Sequence, residues 1–256
     1  MSAVRPSDAA QPHIEVCDIL IGAPERFAKA ANCTLAAHDA EASNVSRFPH
    51  VRFMLSVASP AQFPADRGVE VAFAGRSNAG KSSALNSILA RHGLARTSKT
   101  PGRTRLFNFF EVGPDRRVID LPGYGYARAS QGERAGWEPA IEALRTRATL
   151  RGLFLIVDAR RGLGAMDQQL IAWADPARRN VHVLLTKADK LNQAEKKAAL
   201  RDAQAQLTQG ATVQLFSSLR GLGLDDAQGV LEAWLKIKGP DDPLGSSGQT
   251  NPAQVS

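Results

Sequence analysis

Residues 69–83 read VEVAFAGRSNAGKSS, and two structural elements can be predicted from their pattern. The apolar opening, which includes Val71 and Phe73, predicts a buried strand, and the apolar spacing after Ser83 predicts an amphipathic helix. Between them, residues 75–82 fit the phosphate-binding loop pattern G-x-x-x-x-G-K-[ST]. The glycines let the backbone turn tightly and aim N–H groups at phosphate oxygens, and the helix N-terminus adds a positive partial charge. The stretch therefore predicts a nucleotide-binding site.

Two side chains of this loop have predicted roles of their own. Lys81 is expected to reach the β- and γ-phosphates, and the Ser82 hydroxyl is expected to bind Mg²⁺. The alternative is a glycine-rich turn without a ligand, but a strand and a helix flank the motif in the order that phosphate binding requires. The predicted contacts of the loop are Gly75, Arg76, Ser77, Asn78, Ala79, Gly80, Lys81 and Ser82.

The charge of the chain is unevenly distributed. The formal net charge is +7 over 256 residues, but residues 1–50 and residues 239–256 are each net −2, which leaves +11 for residues 51–238. A basic central domain predicts a polyanionic partner besides the nucleotide, and nucleic acid is the commonest such partner. A basic domain without such a partner is the alternative.

Composition also predicts the organisation of the chain. Residues 1–50 lack a core of their own and are expected to be a flexible extension, residues 51–238 one domain, and residues 239–256 a disordered tail. Cys17 and Cys33 have no metal or redox spacing, which indicates a reducing compartment. The sequence has no apolar run of 18 residues and no signal segment, so we expect a cytoplasmic protein with no membrane partner. Nothing in the sequence predicts an obligate dimer, so we expect a monomer.

Strand and helix patterns alternate through the central domain. This alternation predicts a three-layer α/β/α fold with a mostly parallel sheet covered on both faces. Together with the phosphate-binding loop, it indicates the P-loop NTPase type. Gly113-Pro114-Asp115 joins two strand patterns as a hairpin turn and so predicts one antiparallel strand. The predicted strands are 51–57, 69–74, 106–112, 116–120, 153–158, 181–186 and 212–216, and the predicted helices follow residue 80 and span 134–149, 165–174, 193–208 and 225–237.

Two further motifs follow predicted strands. In Asp120-Leu121-Pro122-Gly123, the carboxylate can hold Mg²⁺ through water and the Gly123 N–H can bond the γ-phosphate, so the segment that follows can switch upon hydrolysis. In Thr186-Lys187-Ala188-Asp189, the final carboxylate can accept two hydrogen bonds from guanine, which adenine cannot donate, and the lysine stem would lie along the base. Charged residues at a solvated strand end are the alternative for this second motif.

Weaker signals complete the predicted site. Phe216-Ser217-Ser218 follows the last strand, where serine and backbone N–H groups can contact the guanine carbonyl. The polar segment 97–104 reads as a mobile loop whose hydroxyls could complete the Mg²⁺ shell, and Thr100 and Thr104 are both candidates. Basic residues accompany this loop and are expected either to contact RNA or to be solvated; they are Arg96, Lys99, Arg103 and Arg105.

The five motifs, in this order, resemble those of a translation-factor-type GTPase. The wording GRSNAGKSS, DLPGYGYA, TKADKL and FSSLRGLGLDDA resembles the EngB family over about residues 51–237. The resemblance implies a G domain that binds Mg²⁺ and hydrolyses GTP to GDP and phosphate. It also implies that hydrolysis is slow and that the protein acts as a molecular switch. It also implies a role in large ribosomal subunit assembly, with that subunit and its rRNA as partners, and through it in normal cell division and septation. A division-site GTPase scaffold acting independently of ribosomes is the alternative.

The resemblance also assigns roles to individual residues. It implies that Ser82 and Thr104 bind Mg²⁺, which favours Thr104 over Thr100 as the second ligand. It also implies that the catalytic residues are Lys81, Thr104 and Gly123. Thr186 replaces the asparagine of the commonest guanine motif, a form usual in this family. Besides the phosphate-binding loop, the implied nucleotide contacts are Gly102, Arg103, Thr104, Arg105, Leu106, Asp120, Leu121, Pro122, Gly123, Thr186, Lys187, Ala188, Asp189, Phe216, Ser217 and Ser218.

Tyr124 stands where many small GTPases place the glutamine that orients the attacking water. Tyrosine cannot copy the paired donor and acceptor of glutamine, so slow intrinsic hydrolysis is predicted. A partner could supply the missing group, or Asn78 could help to hold a K⁺ ion beside the phosphates. The alternative for Asn78 is a loop residue that caps its own turn.

Overall fold

The computed structural model describes residues 46–95, 106–124, 139, 141–174, 179–208 and 210–236. Within these residues no helix has the length and apolar character needed to cross a membrane. The strands are β1 (Arg52–Val57), β2 (Val69–Gly75), β3 (Phe107–Gly113), β4 (Arg116–Asp120), β5 (Leu150–Asp158), β6 (Asn180–Thr186) and β7 (Ala211–Leu215). The helices are α1 (Lys81–Ile88), α2 (residues 141–145), α3 (Ala165–Ala174), α4 (Gln193–Gln204) and α5 (Leu224–Leu235).

The described strands form one mixed sheet in the order β1-β3-β4-β2-β5-β6-β7. β3 pairs antiparallel with both β1 and β4, whereas the other neighbouring strands pair in parallel. Among the described strands only β3 therefore runs against the rest. This arrangement confirms the predicted mostly parallel sheet with one antiparallel strand.

Side chains of β2 alternate between two apolar layers, because successive residues of a strand point to opposite faces. Val71 and Phe73 pack in one cluster with residues of α1 and α5, while Ala72 and Ala74 pack in the other with residues of α2, α3 and α4. All four side chains are fully buried. The sheet is thus covered on both faces, as the three-layer prediction requires.

Several predicted boundaries differ from the structure, among them the end of α4, which lies at Gln204 and not at residue 208. The domain begins before residue 51, because Phe48 is buried in the cluster of α1 and α5 and Arg91 Nη2 donates to Pro49 O over 2.5 Å. The helix predicted for residues 134–149 ends at 145, since the Asp66 carboxylate accepts the backbone N–H groups of residues 148 and 149. β5 then begins at Leu150, three residues before the predicted start. The rest of the predicted extension and the predicted tail lie outside the described residues.

The alternation of Val51, Phe53, Leu55 and Val57 predicts a regular strand, but a bulge interrupts β1. Phe53 pairs with Phe110 and Leu55 pairs with Phe109, so the register shifts by one residue at Met54. The bulge moves later side chains to the opposite face. Phe53 remains 53% exposed, with its ring centroid 6.0 Å from that of Phe110 in an edge-to-face arrangement, whereas Leu55 packs against the cluster of α3 and α4. Uniform alternation along residues 51–57 was therefore a wrong prediction.

His182 of β6 makes the stability of the fold sensitive to pH. Its ring is buried, with Nδ1 2.7 Å from Thr212 Oγ1 and Nε2 2.8 Å from Gln214 Oε1. Burial lowers the pKa of His182 to about 4, whereas an unfolded histidine has a pKa of about 6.5.

Because the unfolded chain takes up this proton more readily, the free energy of unfolding should fall as the pH drops from about 6.5 towards 4, by up to about 3 kcal/mol. Urea unfolding at pH 7, 6 and 5 measures this slope, and His182→Gln should flatten it. His92→Gln, at an exposed site, should keep the wild-type slope. An unchanged slope in the His182 variant would assign the pH dependence to other groups.

Candidate nucleotide-binding site

The phosphate-binding loop connects the end of β2 to the start of α1. Two of its residues have left-handed backbone conformations, Gly80 with φ 99° and Asn78 with φ 65°. Gly80 is the N-cap of α1, and a side chain would strain the backbone there. Asparagine tolerates this conformation better than most residues. The loop therefore reverses the chain tightly and leaves the first N–H groups of α1 available for an anion.

Side chains suited to phosphate and metal binding lie at the carboxyl edge of the sheet. They are Lys81, Ser82 and Asp120. The Lys81 ammonium group donates to Asp120 Oδ1, and the two side chains are only 11% and 8% exposed. Asn108 Nδ2 lies 3.5 Å from the second carboxylate oxygen of Asp120. Ser82 lies half-buried in the first turn of α1. The site thus combines a cation for phosphate with a hydroxyl and a carboxylate.

This donor set fits Mg²⁺, which prefers hard oxygen ligands and keeps several waters. Within the described ranges, no group of three or more His, Cys, Asp or Glu residues could hold a metal by itself. Protein oxygens from Ser82 and Asp120 would therefore need phosphate oxygens and water to complete the shell. The other predicted ligand, Thr104, lies outside the described residues, as do Gly102, Arg103 and Arg105. Leu106 is described and stands half-buried directly before β3.

The turn after β4 lies directly against the phosphate-binding loop. Ser77 N donates to Tyr124 O over 2.9 Å, and Tyr124 N donates to Gly75 O over 3.3 Å. A Cβ atom on Gly123 would lie 3.0 Å from Ser77 Oγ, so glycine permits this close approach. Leu121 and Pro122 are buried, and their side chains are therefore packed in the protein rather than available to a ligand.

The guanine motifs converge at the ends of β6 and β7. Ser217 Oγ donates to Asp189 Oδ1 over 2.6 Å, and this hydrogen bond lowers the pKa of Asp189 below its ordinary value. Ala188 N donates to Phe216 O over 3.2 Å. Ala188 and Phe216 are fully buried, so their side chains are packed in the protein and do not face a base. Ser218 is exposed at the rim.

Thr186 and Lys187 attach the end of β6 to the phosphate-binding loop. The Thr186 hydroxyl is close to two carbonyl oxygens, Ala79 O at 2.5 Å and Val157 O at 3.0 Å. Lys187, with φ 59°, donates from Nζ to Asn78 O over 2.6 Å. These bonds join the predicted phosphate and base subsites into one unit.

The sequence interpretation missed Asp158, which ends β5. Its Oδ2 accepts from Lys187 Nζ over 2.9 Å and from Arg160 Nη2 over 2.6 Å. The hydrogen bonds from Arg160, and then those from Lys187, hold the pKa of Asp158 well below its usual range. A usable signal was present, because this carboxylate ends a buried parallel strand at the edge where ligands bind in open α/β sheets.

Comparison with known proteins gives the same assignment as the motifs. A family model described as 50S ribosome-binding GTPase matches residues 70–187. Proteins described as probable GTP-binding protein EngB are 48% identical over 194 residues in Pseudoalteromonas atlantica, and 46% identical over 193 residues in Francisella philomiragia. These alignments cover 74% and 73% of this chain, and 94% and 98% of the relatives.

A crystal structure of a probable GTP-binding protein EngB shares the fold. Its TM-score is 0.54 at 18% sequence identity, and the match covers 66% of this chain and 99% of the other. Three findings indicate the same family. They are the fold, the order of the motifs along one sheet edge, and the relatives that are matched over most of their length. The chain therefore belongs to the EngB family of GTP-binding proteins and is a GTPase.

Proposed function

We propose that this GTPase is a cytoplasmic protein that acts as a slow molecular switch in the assembly of the large ribosomal subunit. Through this role in assembly, it supports normal cell division and septation. Support comes from the basic domain and from the description of the matching family model, 50S ribosome-binding GTPase. At the sheet edge that carries the nucleotide site, exposed basic residues follow three neighbouring strands. They are Arg160 and Arg161 after β5, Lys190 after β6 and Arg220 after β7.

This distribution of charge is the observation that carries the proposal. A phosphate-rich surface would be attracted to the same edge that binds GTP. A partner bound there would be sensitive to any movement of the turn at Gly123 that depends on the γ-phosphate. The nucleotide state could then control when the protein binds the particle and when it leaves.

In the proposed site, the side chains act on GTP by binding and orientation. The loop N–H groups and Lys81 hold the β- and γ-phosphates, the Gly123 N–H holds a γ-phosphate oxygen, and Asp189 selects guanine. Bound Mg²⁺, held by Ser82, Thr104 and water-mediated Asp120, would neutralise phosphate charge. The Tyr124 side chain is buried and therefore does not orient water, which supports slow hydrolysis. A K⁺ ion held near Asn78 stays a prediction.

Co-sedimentation with separated ribosomal subunits tests the proposal, with GDP compared against a non-hydrolysable GTP analogue. We expect binding to the large subunit alone, with the analogue favoured by at least about tenfold and retained in a salt series up to about 200 mM. Arg220→Glu should weaken this binding. Arg201→Glu on α4, also exposed, is the matched control and should retain it.

Two outcomes would contradict the ribosomal role. Equal binding to both subunits would indicate contact with phosphates in general, and binding that vanishes above low salt would indicate the same. A lack of nucleotide dependence would reject the switch, although the GTPase itself would stand. In these cases a division-site partner becomes the better candidate.

A further inference from the structure

Tyr124 directly follows Gly123, yet its side chain is buried in an apolar layer of the protein. The residue is 3% exposed and packs in the cluster of α3 and α4. Its hydroxyl donates to Asp167 Oδ1 in the first turn of α3. Burial, followed by the charge of Asp167, raises the pKa of Tyr124 far above its ordinary value. The hydroxyl therefore stays protonated and remains a donor to the carboxylate.

Asp167 connects this hydroxyl to two other segments. Its side chain is fully buried, and Oδ2 accepts from Gly164 N over 2.7 Å. Arg76 of the phosphate-binding loop places Nε 3.8 Å from the same oxygen, which is an ion pair beyond hydrogen-bond distance. A Cβ atom on Gly164 would lie 2.8 Å from Arg76 Nη2, so the guanidinium lies directly over the segment that leads into α3.

Simple core packing does not account for this arrangement. A phenylalanine at 124 would supply the same apolar ring, and a buried carboxylate is costly unless it is paired and hydrogen-bonded. The chain instead buries a hydroxyl–carboxylate pair next to the turn that is proposed to sense the γ-phosphate. Backbone bonds from Ser77 and to Gly75 fix the same residue from the other side.

We infer that Tyr124 is a positioning residue, anchored by Asp167, that holds the Gly123 turn against the phosphate-binding loop ready for the γ-phosphate. The inference rests on the proposed contact between Gly123 and that phosphate. A turn that is ordered in advance loses less conformational entropy when GTP binds. GDP lacks the γ-phosphate, so its binding does not use this preorganisation. The pair therefore favours GTP over GDP.

The test compares the affinities of two nucleotides for purified variants. Tyr124→Phe should weaken binding of a non-hydrolysable GTP analogue about five- to twentyfold and change GDP affinity by less than about twofold. Asp167→Asn should act in the same direction, because the amide keeps the shape of the carboxylate but not its charge. The double variant should lose less affinity than the two single losses combined, since both changes weaken the same bond between Tyr124 and Asp167.

Thr149→Val is the matched control. It removes another hydroxyl that donates to buried Glu70, over 2.7 Å, at the opposite edge of the sheet. It should lower stability without changing the ratio of GTP-analogue to GDP affinity. If Tyr124→Phe also lowers stability but leaves the ratio unchanged, the pair is only structural and the inference is wrong.

Gly123→Pro removes the N–H donor itself and so separates this inference from the proposal beneath it. If that variant keeps GDP affinity but loses affinity for the GTP analogue, while Tyr124→Phe does not, the phosphate contact stands and the positioning role alone fails. If Gly123→Pro leaves the ratio unchanged, the phosphate contact itself is wrong and both fail. Neither result depends on ribosome binding, because the measurement uses the isolated protein.

Discussion

Asp189→Asn should weaken GTP binding by about a thousandfold or more. The carboxylate can accept hydrogen bonds from both the ring N–H and the exocyclic amine of guanine. The amide presents one donor face, which would oppose the guanine amine and leave it unpaired. Xanthine carries a carbonyl where guanine carries this amine, so xanthosine triphosphate should bind the variant better than it binds the wild type. Titration with fluorescent guanosine and xanthosine nucleotides measures both changes.

The surroundings of Asp189 supply the controls for this experiment. Asp202→Asn changes another aspartate, which is paired with Arg201 at 3.1 Å on the surface of α4, and should leave GTP affinity unchanged. Ser217→Ala removes the 2.6 Å hydrogen bond that orients the Asp189 carboxylate and should cost about tenfold. If the Asp189 variant retains wild-type affinity for GTP, this residue does not recognise guanine.

Most of the fold was predictable because the sequence motifs of the predicted site come directly after the strands of a mostly parallel sheet. The phosphate-binding loop, the Asp120 motif and the Thr186 motif each follow an apolar strand pattern. Parallel strands end at the same edge of a sheet, so their motifs converge there. One hairpin signal was sufficient to predict an antiparallel strand, and among the described strands the pairing identifies it as β3. These predictions used local patterns whose spatial consequence follows from the sheet alone.

The missed features depend on contacts between residues far apart in the chain. The bulge at Met54 has no local turn residue to signal it, and it is defined by the register with β3. The partnership of Tyr124 with Asp167 joins a turn to a helix 43 residues later. Likewise Asp158 gains its role from Lys187, 29 residues later. The sequence of one chain does not indicate which of these distant side chains contact each other in the folded protein.

Glu70 was also hidden by its surroundings, because it lies inside the apolar run that predicted β2. It is fully buried at the edge of the sheet opposite the nucleotide site. Arg147 donates to it from Nε over 2.6 Å and from Nη2 over 2.8 Å, and Arg117 Nη1 donates over 2.8 Å. Thr149 Oγ1 completes the set over 2.7 Å. Glu70 is thus the carboxylate shared by two buried guanidinium groups, and Asp66 adds a second carboxylate 4.0 Å from Arg147 Nε.

Glu70→Gln should lower the free energy of unfolding by about 3–5 kcal/mol, because two buried cations lose the buried carboxylate that they share while the shape of the side chain is kept. Glu111→Gln is the matched control, since Glu111 pairs with exposed Arg52 over 2.7 Å, and it should cost less than about 1 kcal/mol. Urea unfolding measures both values. Equal costs would mean that solvent or other groups compensate Arg117 and Arg147. GDP affinity of folded Glu70→Gln protein should remain unchanged, because the cluster supports the amino ends of the strands whose carboxyl ends carry the proposed nucleotide site.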